Sequence, residues 1–238
     1  MNELPEEGWL SAGQVTRLAE AGARVRPAGA VVEIGSFRGR SAVVLARAAG
    51  SVVAIDPHAG SDRGPQEISA DEARGGEDFD AFHANLERFG VADRVRHVRK
   101  FSSDAHEDVT GPVSLLFVDG AHRYGPARED LARWGARVAP GGVMLVHDSF
   151  SSIGVTLALL AECAGSTRWR YVGRTRSLAE YERRTSPASI GSRMVDVGRH
   201  VAQLPWFARN VLIKVLVLTG RRSWAIRLGL DRAARWPY

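Results

Sequence analysis

The chain has 238 residues, of which 45% are hydrophobic and 25% charged, enough for one sizeable core or one core with an appendage. Its single cysteine, Cys163, excludes a disulfide framework or thiolate metal cluster within one chain, fits a reducing cytosol, and reads as a small buried hydrophobe. The formal charge of +5 is unevenly placed: residues 187–238 carry +7 and the first 186 about −2, so the overall basicity does not indicate nucleic-acid binding.

The opening "MNELPEEGWL" is acidic and lacks the apolar stretch of a secretory signal. No run reaches the ~18 apolar residues of a membrane span, so a cytoplasmic protein is expected. Ser11 and Gln14 have capping-box spacing ahead of a helix over 12–23. "AVVEIG" (30–35) reads as a strand, "RSAVVLARAAG" (40–50) as a helix closing on glycine, and "SVVAIDP" (51–57) as a second strand. The polar, Gly-rich stretch 60–78 reads as a long loop, and Asp62 with this loop is a candidate cover for a site. A helix follows over 79–90, then a strand at 94–100, a buried strand at 114–120, a helix over 125–138, a buried strand at 141–149 and a helix over 154–165. "WRYVGRTRSLAEYERR" (169–184) reads as two strands around a turn near Arg174. This alternation predicts a doubly wound, Rossmann-like α/β sheet with an antiparallel final pair, and ligands in such sheets bind beyond the C-terminal strand ends.

Polar residues gather at those ends. Gly35 and Gly39 sit in the turn between the first strand and first helix, where glycine admits close ligand approach. The spacing is not G-x-G-x-x-G, which disfavours a nicotinamide-dependent oxidoreductase. Asp56 ends the second strand, placed to bond two ribose hydroxyls.

The segments "VVEIGSFRGRSAVVLA", "VVAIDPH", "LLFVDGAHRYGPAREDLARW" and "APGGVMLVHDS" resemble the class I S-adenosylmethionine-dependent methyltransferases, more narrowly a small-molecule O-methyltransferase branch that includes macrocin-type sugar-methylating enzymes. The resemblance spans residues 8–185. It implies a seven-stranded, mostly parallel sheet with a reversed last strand. It also implies that Glu33, Gly35, Ser36, Gly39 and Ser41 line the methionine end and that Asp56 holds the ribose. Ser103 and Asp104 would lie by the adenine, with Asp119 bordering cofactor and reaction centre.

Methyl transfer to an aliphatic hydroxyl requires a base for its proton, and a divalent metal can assist by lowering the hydroxyl pKa. Asp119 ends one central strand, and His147 and Asp148 end its presumed neighbour. Such oxygen and imidazole ligands suit Mg²⁺ or a similar cation. In the sugar-methylating relatives a D-x-x-H pair supplies a metal acid and a general base; Asp119 and His122 match it, and Asp148 matches a second metal acid. The expected metal set is Asp119, His147 and Asp148; the expected base is His122, then His147. The structural alternatives are Asp119 and Asp148 as helix caps, His122 as a turn residue and His147 as a core-edge residue. His58 lines the substrate pocket or is a solvated loop residue.

A domain over 1–186 and a basic, Trp-containing helical extension over 187–238 are expected. The extension packs on the domain or a second subunit, giving a homodimer, or lies on a membrane surface; nucleic acid is not expected as a partner. The expected acceptor is a hydroxyl of a small molecule or saccharide. The rivals are a metal-independent methyltransferase acting on nitrogen or a phenol, and a non-catalytic, cofactor-binding, membrane-docking module.

Overall fold

The computed structural model describes residues 3–25, 29–61 and 69–232. The elements run α1 (Ala12–Ala23), β1 (Ala30–Ile34), α2 (Arg40–Ala49), β2 (Val52–Ile55), α3 (Glu72–Arg88), β3 (Val95–Val98) and β4 (Val113–Val118). They continue through α4 (Tyr124–Glu129), a π-helical turn (Asp130–Trp134), α5 (Gly135–Arg137), β5 (Val138–Val146), α6 (Ile153–Glu162), β6 (Trp169–Thr175) and β7 (Leu178–Arg183). Three helices close the chain: α7 (Ile190–Val201), α8 (Leu204–Leu218) and α9 (Arg222–Arg227).

The seven strands form one sheet in the order β3-β2-β1-β4-β5-β7-β6. The first five in that order are mutually parallel, and β7 is antiparallel to both neighbours, so it is the reversed last strand. The apolar runs of β1, β4 and β5 are buried because helices cover both faces. One layer of core gathers Val32, Leu116, Met144, Trp134 and Tyr181; the opposite layer gathers Val31, Leu45, Phe82, Leu115 and Phe117. Strand order reverses between β1 and β4, and this opens a crevice at their C-terminal ends.

Three expectations change. The stretch 60–78 is not loop throughout, because α3 starts at Glu72 with Asp71 as its N-cap, accepting from the Arg74 N–H at 3.1 Å. Asp62 and the rest of 62–68 lie outside the described residues. The preceding helix stops at Arg137, so β5 begins at Val138 and ends at Val146, leaving His147, Asp148 and Ser149 beyond the strand. The turn between β6 and β7 falls at Arg176 and Ser177, not at Arg174.

The tail also exceeds its expected apolar length. Helices α7 and α8 together cover residues 190–218 with a turn at 202–203, and this 29-residue stretch holds an 18-residue window of mean hydropathy 1.4, long and apolar enough to cross a membrane by length and composition. In the fold, however, these helices are tied to the sheet domain by polar groups. Arg184 Nη2 donates to Asp196 Oδ2 at 2.5 Å, Asn210 Nδ2 to the Phe150 carbonyl at 3.1 Å, and Lys214 Nζ to the Ser151 carbonyl at 2.9 Å.

The tightest crossing lies at the crevice. Gly35 has φ +84°, and a Cβ there would stand 2.1 Å from the Asp119 carbonyl oxygen. Gly50, with φ +92°, faces open space. Gly50→Ala should cost about 1–3 kcal/mol for a backbone conformation that favours glycine. Gly35→Ala adds a backbone collision and should cost more than about 3 kcal/mol or prevent folding. Urea melts of the two variants measure the difference.

Candidate active site

The parallel register carries β1, β4 and β5 to the crevice together, with Ile34 beside Val118 and Val118 beside Val146. The ladder then runs one residue further, as Asp119 N–H donates to the Ile34 carbonyl and His147 N–H to the Val118 carbonyl. The resulting cleft, about 310 Å³, takes lining from every strand end between β2 and β5.

Glu33 is fully buried behind one end of the cleft and is not part of its lining, contrary to expectation. Its Oε2 accepts from Ser36 Oγ at 2.9 Å and Ser41 also hydrogen-bonds it, while its Oε1 is buried without a hydrogen-bond partner. Burial is the main cause that pushes this carboxyl up to about 8; the charges of Asp119 and Asp56 add to it and the two serines oppose it. Asp56 is not a solvated acid. Its Oδ2 accepts from the Ser36 and Phe37 N–H groups and its Oδ1 from the His58 N–H, each at 2.8 Å. It thus ties the β1–α2 turn to the end of β2. Gly39 caps α2 in the left-handed region and faces Phe82 rather than the cleft. His58 is buried, lines the cleft and meets the Phe37 carbonyl through Nε2 at 2.8 Å, so the solvated reading fails.

Near the other rim, Ser103 lines the cleft, whereas Asp104 is exposed and outside the lining. The acid at that end is Asp130, in the π-helical turn, which accepts from Ser102 Oγ at 2.5 Å. Burial raises its carboxyl to about 6. Asp130 sits in a helical "RED" run that gives no linear signal of a cleft position.

The chemical corner lies between β4 and β5. His147, almost fully buried, has Nδ1 3.0 Å from Asp119 Oδ1 and 3.8 Å from Asp148 Oδ2. His122 Nε2 hydrogen-bonds Asp148 Oδ2 and its side chain is a quarter exposed to the cleft. Burial is the strongest influence on both imidazoles and favours the neutral form, but the two carboxylates outweigh it. His122 is therefore raised above the ordinary histidine range and His147 is pushed up to about 9. Asp148 is held far below the usual carboxylate range, because the imidazoles and Lys214 overcome its burial. The trio whose ligand atoms lie within 4.8 Å of one another is Asp119, His122 and Asp148; His147 instead braces Asp119. Asp119 and Asp148 are no helix caps: the following helices have Arg123 and Ser152 at their N-caps.

Residues 32–149 match the family described as a methyltransferase domain, a span that begins in β1, ends just past Asp148 and contains every site residue named above. This span is an S-adenosylmethionine-dependent methyltransferase domain. The methyltransferase resembles the crystal structure of cofactor-bound Rv0187 from MTB, with 25% identity, a TM-score of 0.50, and coverage of 76% of this chain and 84% of that one. It also resembles the O-methyltransferase NovP (17% identity, TM-score 0.56, 72% and 79% covered). A third structure is an rRNA methylase from Streptococcus thermophilus (12% identity, TM-score 0.51, 75% and 100% covered). The latter two share the fold.

Glu33 supplies a test of the cofactor end. Its carboxyl is raised in the fold from 4.5 to about 8, so its stabilising contribution is full at low pH and declines as pH rises from about 4.5 to 8. Glu33→Gln removes that decline. The melting temperature of the variant relative to wild type should climb by roughly 5–15 °C between pH 5 and pH 8.5, while affinity for S-adenosylmethionine falls. Calorimetry across pH and a binding titration read the two effects.

Proposed function

We propose that the methyltransferase methylates a hydroxyl of a sugar, a polysaccharide precursor or a glycosylated metabolite. The observation that carries this reading is the paired acids and imidazoles facing the cleft at Asp119, His122 and Asp148, because an aliphatic hydroxyl must lose its proton as it is alkylated. The nature of the cleft mouth supports it. Trp9 is half-exposed there with its ring 4.8 Å from Phe37, offering an apolar face and an N–H donor to an acceptor with both characters.

S-adenosylmethionine supplies a methyl group on a positively charged sulfur. Ser36, Ser41 and Asp56 line the end of the cleft that suits its methionine portion, and the buried Glu33, bonded to both serines, backs that end with a carboxyl whose Oε1 is unpartnered. The Phe101–Ser103 segment and Asp130 form the opposite rim for the base. On the acceptor side, His122 Nδ1, which has no hydrogen-bond partner, takes the hydroxyl proton as the oxygen–carbon bond forms, and Asp148, bonded to Nε2, steadies the imidazolium that results. His147 serves less well as base, since the two acids keep it protonated at neutral pH.

A divalent cation also fits this corner. Asp119 and Asp148 are hard oxygen donors, and Asp148 Oδ1 is buried without a hydrogen-bond partner. Asp119 and Asp148 would hold the ion, which when bound would lower the pKa of the acceptor hydroxyl and leave His122 free to act as base. A second reading dispenses with the ion: the direct His122–Asp148 hydrogen bond already makes a base and its orienter.

Labelled methyl transfer to a panel of saccharide, phenol and amine acceptors, with Mg²⁺ and after exhaustive EDTA treatment, tests both readings. Turnover on saccharides alone that EDTA abolishes supports the metal-assisted sugar reading. Turnover unchanged by EDTA leaves the His122–Asp148 pair, and transfer only to amines or phenols rejects the hydroxyl reading. His122→Ala should lower kcat by about 10²–10⁴-fold with cofactor affinity nearly intact. Because the two acids keep His147 protonated at neutral pH, Mg²⁺ binding to those acids should release protons, measurable by calorimetry in buffers of differing ionisation enthalpy.

A further inference from the structure

Helix α8 is amphipathic in the reverse of the usual sense. Its inward side carries Asn210 and Lys214, which donate to the Phe150 and Ser151 carbonyls, together with the buried Ile213. Its exposed residues are Leu204, Pro205, Ala208, Leu212, Val215 and Leu218, all apolar. At 100° per residue they fall within one sector of roughly 140°. A helix packed on a domain and facing only water carries polar residues on that side.

The surroundings of the stripe are basic. Arg209, Lys214, Arg221, Arg222, Arg227 and Arg232 accompany it in sequence, and Asp231 is the one acid between residues 204 and 232. At the end of the stripe Trp224 is more than half exposed, with the Arg227 guanidinium 4.9 Å from its ring centroid. An apolar stripe edged by arginine and tryptophan is the composition of a helix lying in a lipid headgroup region.

We propose that the outer face of α8, with the Trp224–Arg227 corner, seats the protein on the surface of an anionic lipid bilayer. Charge selects this occupant over a second copy, because a two-fold contact would bring the same cations against themselves. The helix lies on the bilayer rather than through it. Its inner side is committed to Phe150 and Ser151, and α7 is committed through Asp196 to Arg184. This docking is independent of the acceptor and of any metal.

The test is co-sedimentation of the full chain with vesicles of phosphatidylglycerol and phosphatidylcholine, and of phosphatidylcholine alone, at about 0.1 M salt, where surface charge still acts over about 10 Å. Wild type should pellet with the anionic vesicles and not the neutral ones, with a blue shift of tryptophan emission. The variant Leu212→Glu/Val215→Glu/Leu218→Glu and the variant Arg221→Glu/Arg227→Glu should each bind at least about tenfold more weakly, with S-adenosylmethionine binding unchanged. If the first variant does not fold, the second carries the test. The proposal is overturned if wild type stays in the supernatant, if neutral vesicles bind it equally, or if a folded variant keeps its binding. A dimer dissolved by the leucine–valine variant, with no vesicle binding by wild type, would assign the stripe to a second copy.

Discussion

Two carboxylates and two imidazoles share one largely dry corner between β4 and β5, and most of the site is arranged to make that tolerable. A buried carboxylate without a partner costs several kcal/mol. Here Asp119 leans on His147, and Asp148 on His122. Each imidazole has its own character as a result. His147 is walled in and held cationic as an internal counter-charge, whereas His122 keeps an edge in the cleft, where a substrate can reach it.

That corner depends on elements far away in the chain. Asp148 and Phe150 both have φ of 55°, a left-handed conformation that costs a non-glycine residue roughly 1 kcal/mol or more. The turn survives because it is held from several sides. Ser149 N–H donates to the Ser177 carbonyl, and Asn210 and Lys214 take up the carbonyls of Phe150 and Ser151. The C-terminal helices are thus part of the apparatus that aims Asp148. A chain ending at Ser186 would lose these supports along with the apolar stripe, which is why point substitutions on the outer face separate the two roles.

The sheet and its polar strand ends were legible in the sequence because the apolar runs of β1, β2, β4 and β5 stop at Glu33–Gly35, Asp56, Asp119 and His147–Asp148. The beginning of α3 was not. Its glycines look like loop residues, yet Gly75 is there because a Cβ would stand 2.1 Å from the His58 carbonyl, so the helix can only pass this close with glycine. The Asp71 cap followed by Glu72 was the signal available. Asp130 had none, since its inward turn comes from a π-helical register that leaves no trace in residue type. Nor could sequence divide the work between His122 and His147. That division follows from the left-handed turn at Asp148, which sends its carboxylate towards His122.

Gly35 against Asp119 leaves no adjustable layer between the cofactor end and the reaction corner. The backbone of β1 and the backbone after β4 touch with no side chain between them. The spacing between these two strand ends is therefore fixed by backbone rather than by side chains. New acceptors would have to be won at the mouth, around Trp9 and the start of α3, leaving the floor of the cleft as the inherited part and the rim as the part free to diverge.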